Sequence, residues 1–317
     1  MHSITGIPSK SLRIFADRMI DYAGTFPPAN LPLKESIQNY IQYRKGPYSW
    51  MLSKFICPAK ELPQLTEILQ SVNERGNLFC SIILNQSTLS DDLKETTDFK
   101  RNNRHRIVID VIEISVSIDK IDLTTIEKIT KYLDFVSDKT LEEMQGQVTI
   151  FHEAVSDNEN KIDEFIKALS IHNKKEKDSG FKLRTGGVDA SAFPSSEQIA
   201  FVIKTCRDYD VPMKCTAGLH HPIMHYNESV KTKMHGFLNV FGTGIIAYCS
   251  ALTEKQILAI INDEDAGDFS FSDEGFRWKD LRVNNLEIKE AREKFMISYG
   301  SCSFEEPLED LKRLKFL

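Results

Sequence analysis

The sequence predicts a single-domain (β/α)8 barrel of the TIM type, and three observations carry that expectation. Eight strand-like segments recur along the chain, near Met19, Leu52, Phe79, Val111, Ile150, Leu183, Lys214 and Phe271. Most are spaced by roughly thirty to forty residues with a helical pattern between them, the period of a parallel βα architecture. Several, such as NLFCSIILN and RIVIDVIEISVSI, are apolar throughout rather than alternating, which suits strands buried on both faces of a helix-covered sheet. An open doubly wound sheet is the alternative topology with the same local signals. No low-complexity linker divides residues 1–317, so they read as one barrel domain with a C-terminal helical tail.

Taken in order, ADRMIDYAG is a short strand running into TFPPANLP, where Pro27, Pro28 and Pro32 fix φ and bar a helix. ESIQNYIQYRK sets Ile37, Tyr40 and Ile41 at helical spacing. SWMLSKFICPA is a strand ended by Pro58, AKELPQLTEILQSVNE an amphipathic helix, and NLFCSIILN the third strand. The polar stretch 86–106 offers at most a short irregular helix. RIVIDVIEISVSI follows as a β-branched strand, and LTTIEKITKYLDFVSDK as a helix capped by Thr124 or Thr125. QVTIFHEAV and NKIDEFIKALSIHNKK form the next strand and helix. FKLRTGG precedes a helix that opens at Ser195, with Gln198 completing a capping box, and VPMKCTAG follows it. Residues 229–261 are apolar enough for one long or two shorter helices. DFSFSDEGFRWKD alternates as a last strand, and helices near 287–297 and 308–314 complete the chain.

Composition narrows the function classes. A net charge of −6 and a pI near 5.8 argue against nucleic acid or an anionic membrane as the main partner. The six cysteines form no C-x-x-C pair and no zinc spacing, so reduced thiols and a cytoplasmic location are expected. MHSITGIPSKSLRIF lacks the apolar core of a signal peptide, and the apolar region 236–252 is too short and interrupted to span a membrane. A small-molecule carbonyl compound or anion is the expected partner, with a homo-oligomer compatible with the sequence.

In a parallel barrel the active site lies at the C-terminal ends of the strands, so polar residues there are the candidates. They are Asp21; Asp110 and Glu113; His152 and Glu153; Lys182 and Arg184; Lys214 and Thr216; and Asp273 and Glu274. Alternation puts Lys182 and Arg184 on one side of their strand, Lys214 and Thr216 on one side of theirs, and Asp110 and Glu113 on opposite sides. Two inward lysines on neighbouring strands suggest imine chemistry. A lysine is protonated near neutral pH, and a second cation or desolvation frees the amine to attack a carbonyl. Their other face is structural: strand-end lysines also pair with a neighbouring carboxylate such as Glu153.

K-x-x-T-G-G at Lys182, a helix, and V-x-x-K-x-T-A-G around Lys214 resemble the sixth and seventh strands of class I deoxyribose-phosphate aldolases, and IDVIEI resembles that family's fourth strand. The resemblance implies a Schiff-base lysine at Lys182, a tuning lysine at Lys214 and a proton-transferring acid at Asp110. The family's phosphate-binding glycines and serines follow its seventh and eighth strands. At those places this chain has LHHPIMHY and FSFSDEGFRW, so a phosphorylated sugar is not implied. AFPS, TAGLHHP and MHGFLNVF together also resemble motifs of an uncharacterised family of bacterial proteins.

The expected enzyme is therefore an aldolase-like lyase needing no cofactor or metal. Lys182, Lys214, Asp110, Glu113, Glu153 and His220 or His221 are its catalytic candidates. Arg184, Thr185, Gly186, Gly187, Thr216, Asp21, His235 and Asn239 are the candidates for binding substrate. Gly186 and Gly187 open a helix and offer backbone amides to an anion beside Arg184. His220, His221 and His225 could with Glu113 or Glu153 hold a divalent metal for an isomerase or hydrolase, although H-H-x-x-x-H is no recognised ligand spacing. A barrel that only binds a ligand is the third alternative. It predicts lysines neutralised by carboxylates.

Overall fold

The computed structural model describes residues 8–72, 76–118, 123–145 and 147–317. Seven strands appear in chain order at the expected places: β1 (Ile20–Tyr22), β2 (Leu52–Pro58), β3 (Leu78–Leu84), β4 (Ile107–Ser117), β5 (Thr149–Val155), β6 (Ser179–Arg184) and β7 (Met213–Thr216). Two short hairpin strands, β8 (His225–Asn227) and β9 (Thr232–Met234), follow the seventh. Then come β10 (Phe269–Phe271), β11 (Gly275–Trp278), β12 (Leu281–Asn284) and β13 (Met296–Ser301). Strands β1 to β7 and β13 pair in parallel as one closed eight-stranded barrel, with β1 bonded to both β2 and β13. The fold is the predicted (β/α)8 barrel.

Helices wrap it: α1 (Lys10–Ala16), α2 (Leu33–Tyr43), α3 (Leu62–Ser71), α4 (Leu89–Asn102), α5 (Ile126–Met144), α6 (Glu159–Asn173), α7 (Ser196–Asp208), α8 (Phe237–Cys249), α9 (Glu254–Ile261), α10 (Asn285–Lys294) and α11 (Glu305–Arg313). Thr125 caps α5, and Ser195 with Gln198 makes the reciprocal capping box of α7. The expected end of the α3 helix at residues 73 and 74 lies outside the described residues.

The eighth strand corrects the sequence expectation. Phe271 belongs to an antiparallel sheet, β10-β11-β12, where Phe271 and Phe276 pack on Phe15 of α1 at ring-centroid distances of 5.2 and 5.0 Å. The alternation of DFSFSDEGFRWKD is that of a sheet covered on one face, which a barrel strand is not. The true eighth strand is Met296–Ser301, directly after α10; the expected helix 287–297 overlaps its first two residues. Helices α10 and α11 stand near the two expected helices of the C-terminal tail, and β13 between them completes the barrel wall. Residues 86–106 differ too. They hold a regular fourteen-residue helix, α4, whose buried stripe of Leu89, Leu93, Thr96 and Phe99 is hidden in the sequence by dense surface charge. Between residues 229 and 261 there are two helices, α8 and α9, preceded by β9.

Candidate active site

The barrel interior carries a continuous ionic array. Lys182 on β6 and Lys214 on β7 sit directly opposite each other in the strand register, so their backbones are about 4.8 Å apart. Glu113 on β4 bridges them. Lys214 Nζ donates to Oε1 at 2.6 Å, and Lys182 Nζ lies 2.8 Å from Oε2, an ion-pair contact approached off the hydrogen-bonding direction. Each lysine has a second carboxylate: Glu153 for Lys182 at 2.9 Å, and Asp21 for Lys214 at 2.8 Å. Arg184 donates through Nε to the other oxygen of Glu153 at 2.7 Å.

Further donors complete the carboxylates. Ser81 donates to Glu113 at 2.7 Å, Ser298 to Asp21 at 2.6 Å, and the Lys54 backbone N–H to Asp21 at 3.0 Å. Every barrel strand thus supplies at least one member, and β6 supplies two. Formal charge balances as well, three carboxylates (Asp21, Glu113, Glu153) against three cations (Lys182, Lys214, Arg184).

Balance sets the protonation states. Burial alone would raise the Glu113 carboxyl, but the two ammoniums overcome it and hold the group well below the usual carboxylate range. Asp21 and Glu153 are lowered in the same way against burial, by Lys214 and by Lys182 with Arg184. The lysines reverse the sequence expectation. Burial would depress Lys182, and Lys214 adds to that, yet Glu113 and Glu153 outweigh both and its pKa is raised. Lys214 is raised by Asp21 and Glu113 against its burial. In the resting protein both are ammoniums, and Lys214 does not lower Lys182 below its ordinary value.

Above this floor opens a cavity of about 750 Å³ at the C-terminal end of the barrel, within the usual size of small-molecule sites. Lys182, Glu113 and Glu153 reach its base, with Arg184, half-exposed, and Thr216 on the wall. Lys214 and Asp21 do not line it and are 1% and 0% exposed. The two lysines therefore differ: one faces the cavity, the other is sealed in the barrel with its ammonium 5.6 Å from the Phe151 ring. Gly187 and the β8–β9 hairpin (Asn227, Met234) form one side, and Phe26 to Pro28 another.

The loops after β6 and β7 are locked together by glycine. A Cβ on Gly186 would meet Gly218 Cα at 2.7 Å, and Gly218 holds φ at +77°. Ala217 beside it also sits in the left-handed region at φ 62°, a conformation that costs a non-glycine residue about 1 to 2 kcal/mol. Strain of this kind clusters at functional sites.

Several expected residues are not in the cavity. Asp110, expected to transfer protons, points away from it and pairs with Lys54 at 3.5 Å, because Glu113 three residues on takes the inward direction. Asp21, expected to bind substrate, is buried under Lys214 and does not line the cavity. Thr185 donates to the carbonyls of Thr216 and Ala217, and Gly186 packs on Gly218, so both hold loop geometry. His235 bonds the Pro194 carbonyl at 2.8 Å. Asn239 accepts from the Met224 N–H and donates to the carbonyls of Ile260 and Asp263, each at 2.8 Å, which makes it a loop clamp. His152, adjacent to Glu153, points the other way, buried between Tyr132 and Phe165, with burial depressing its pKa to about 3.

His220 and His221 do line the cavity. Neither turns to the carboxylate floor. His220 bonds Glu306 at 2.8 Å, and His221 bonds Asp310 at 2.5 Å. Among the described residues no three His, Cys, Asp or Glu side chains are grouped to hold a metal ion.

Sequence reasoning missed Ser81, Ser298, Cys302 and Glu306. Ser81 was findable as the one polar residue within the apolar run LFCSIIL. The other three belong to the misplaced eighth strand and its exit. Set beside known proteins, the chain matches no family model and no curated protein. Among the described residues no helix is long and apolar enough to cross a membrane.

Proposed function

We propose that the protein is an enzyme that joins Lys182 to a small oxygenated carbonyl compound as an imine, in the manner of an aldolase-like lyase. The observation that carries this is the placing of Lys182 Nζ at the base of the cavity between Glu113 and Glu153, with Lys214 fixed behind it.

The resting ammonium must first lose a proton, and Glu153, 2.9 Å away, is the acceptor that also borders the cavity. The freed amine adds to the carbonyl carbon. The adduct nitrogen gives up a second proton to the oxygen, Glu153 returns the first, and the doubly protonated oxygen leaves as water. Ammonium plus carbonyl becomes iminium plus water, with charge conserved. An iminium carries the same single positive charge as the ammonium it replaces, so the array that stabilises one stabilises the other. Lys214 holds Glu113 in place and keeps the floor balanced. Arg184, at the mouth, is the cation available to an anionic or hydroxylated end of the substrate.

The exit of the eighth strand bears on the substrate. It reads Gly300-Ser301-Cys302-Ser303, so glycine and serine do occur there. However, Glu305 and Glu306 occupy the first turn of α11, and these charges oppose a phosphate at that helix end. An unphosphorylated carbonyl compound fits better.

The neutralised lysines also favour a second reading, a barrel that binds a ligand without reacting. Borohydride separates the two. Incubation with a panel of small aldehydes and hydroxyketones, reduction and peptide mapping should give an adduct on Lys182 and none in Lys182→Met. Absence of any adduct across the panel, with binding seen by calorimetry, would leave the non-catalytic barrel.

A further inference from the structure

Cys302 stands just past the end of β13, and His220 follows β7, the strand paired with β13 through Thr216 and Gly300. Neighbouring strands thereby join residues 82 positions apart: Cys302 Sγ lies 3.8 Å from His220 Nε2. The opposite ring nitrogen, Nδ1, lies 2.8 Å from Glu306 Oε2 in the first turn of α11. A carboxylate only accepts, so Nδ1 carries the proton and Nε2 faces the sulfur. All three side chains line the cavity, and the other five cysteines do not. Nucleophile, base and orienting carboxylate are thus arranged in series, at a nucleophile–base separation slightly looser than a closed catalytic hydrogen bond. Burial would lower the His220 pKa, but its bonds to Cys302 and Glu306 push it up to about 9, which stabilises the imidazolium formed when Nε2 takes a proton from the sulfur.

We propose that Cys302, His220 and Glu306 form a second nucleophilic site in the cavity, one that accepts an acyl group from a small activated ester or thioester. His220 Nε2 takes the thiol proton as Cys302 Sγ adds to the acyl carbon. The tetrahedral adduct collapses, the bond to the leaving alcohol or thiol breaks, and that group departs with the proton from His220. Water then adds to the acyl-thioester, and the carboxylic acid leaves as the thiol reforms. No oxidant or reductant is consumed, and neither Lys182 nor Lys214 takes part.

The test uses the full chain and p-nitrophenyl acetate as the probe, with nitrophenolate release followed by absorbance and the acetyl group located by peptide mapping. The expected result is acetylation of Cys302 and its loss in Cys302→Ala. His220→Asn should slow acetylation by at least about 100-fold, the usual worth of a general base. Glu306→Gln should slow it less and displace its pH profile, which a purely structural role would not do. Wild-type protein whose Cys302 stays unmodified while lysines or other cysteines are acetylated overturns the proposal. An unchanged rate in folded His220→Asn overturns it too. The wild-type map decides even where a variant fails to fold.

Discussion

Strand β4 carries two acids three residues apart, and they end in opposite situations. Asp110 has a side chain 43% exposed and one partner, Lys54, at 3.5 Å. Glu113 is fully buried and receives Lys182, Lys214 and Ser81 within 2.8 Å. Same strand, same charge, and a rotation of half a pleat separates a surface pair from the centre of the site. Residue type does not decide which acid matters here; direction and depth do. Surface pairs contribute little because water competes for them, whereas a buried charge stripped of its partner has nothing to replace it.

The largest expected effect comes from Glu113→Gln. It leaves two ammoniums in the barrel without their bridge, and should destabilise the fold by about 3 to 5 kcal/mol in urea titrations. Ser81→Ala removes one hydrogen bond to the same charged group and should cost about 1.5 to 3 kcal/mol by the same measurement. Asp110→Asn should change stability by less than about 1 kcal/mol. Equal losses in Glu113→Gln and Asp110→Asn would break the contrast.

Acid sharpens it further. Asp21, Glu113 and Glu153 have folded pKa values below their unfolded ones. Their contribution is complete above the unfolded values near 4 and is lost as pH falls through the folded values. Stability of the wild type should therefore fall steeply below about pH 4, and Glu113→Gln should show a shallower slope in that window. The lysines act at the other end. Raised in the fold, Lys182 and Lys214 contribute fully below about 10.5 and lose that contribution as pH climbs above it. Thermal melting across both limits measures each slope.

Much of this was legible beforehand, and the reasons are specific. The apolar runs of β3 and β4 and the lysine-bearing ends of β6 and β7 announce a parallel barrel and the facing lysines, because strand alternation alone fixes which side chains share a face. The choice between Asp110 and Glu113 was not legible. It depends on a register irregularity in the β3–β4 pairing, where Cys80 faces Ile109 and Ser81 faces Val111, leaving Asp110 unmatched. His235 and Asn239 read as substrate-binding candidates in sequence, yet each bonds backbone groups that only the folded loops bring near. The lysine pKa could not be inferred without knowing that Asp21 reaches Lys214 across the barrel seam. β13 escaped because a six-residue strand directly after a helix shows no break in apolar periodicity.

That seam has a kinetic consequence. Asp21 bonds Lys214 across 193 positions and Ser298 across 277, so the array is complete only when the first and last strands meet. A half-formed barrel ending at β4 would hold Glu113 with neither lysine, and water would have to stay until closure. Dehydration of the centre is thereby tied to the last topological step. The same charges that form the floor of the cavity would act as a checkpoint, telling a closed ring from an open one.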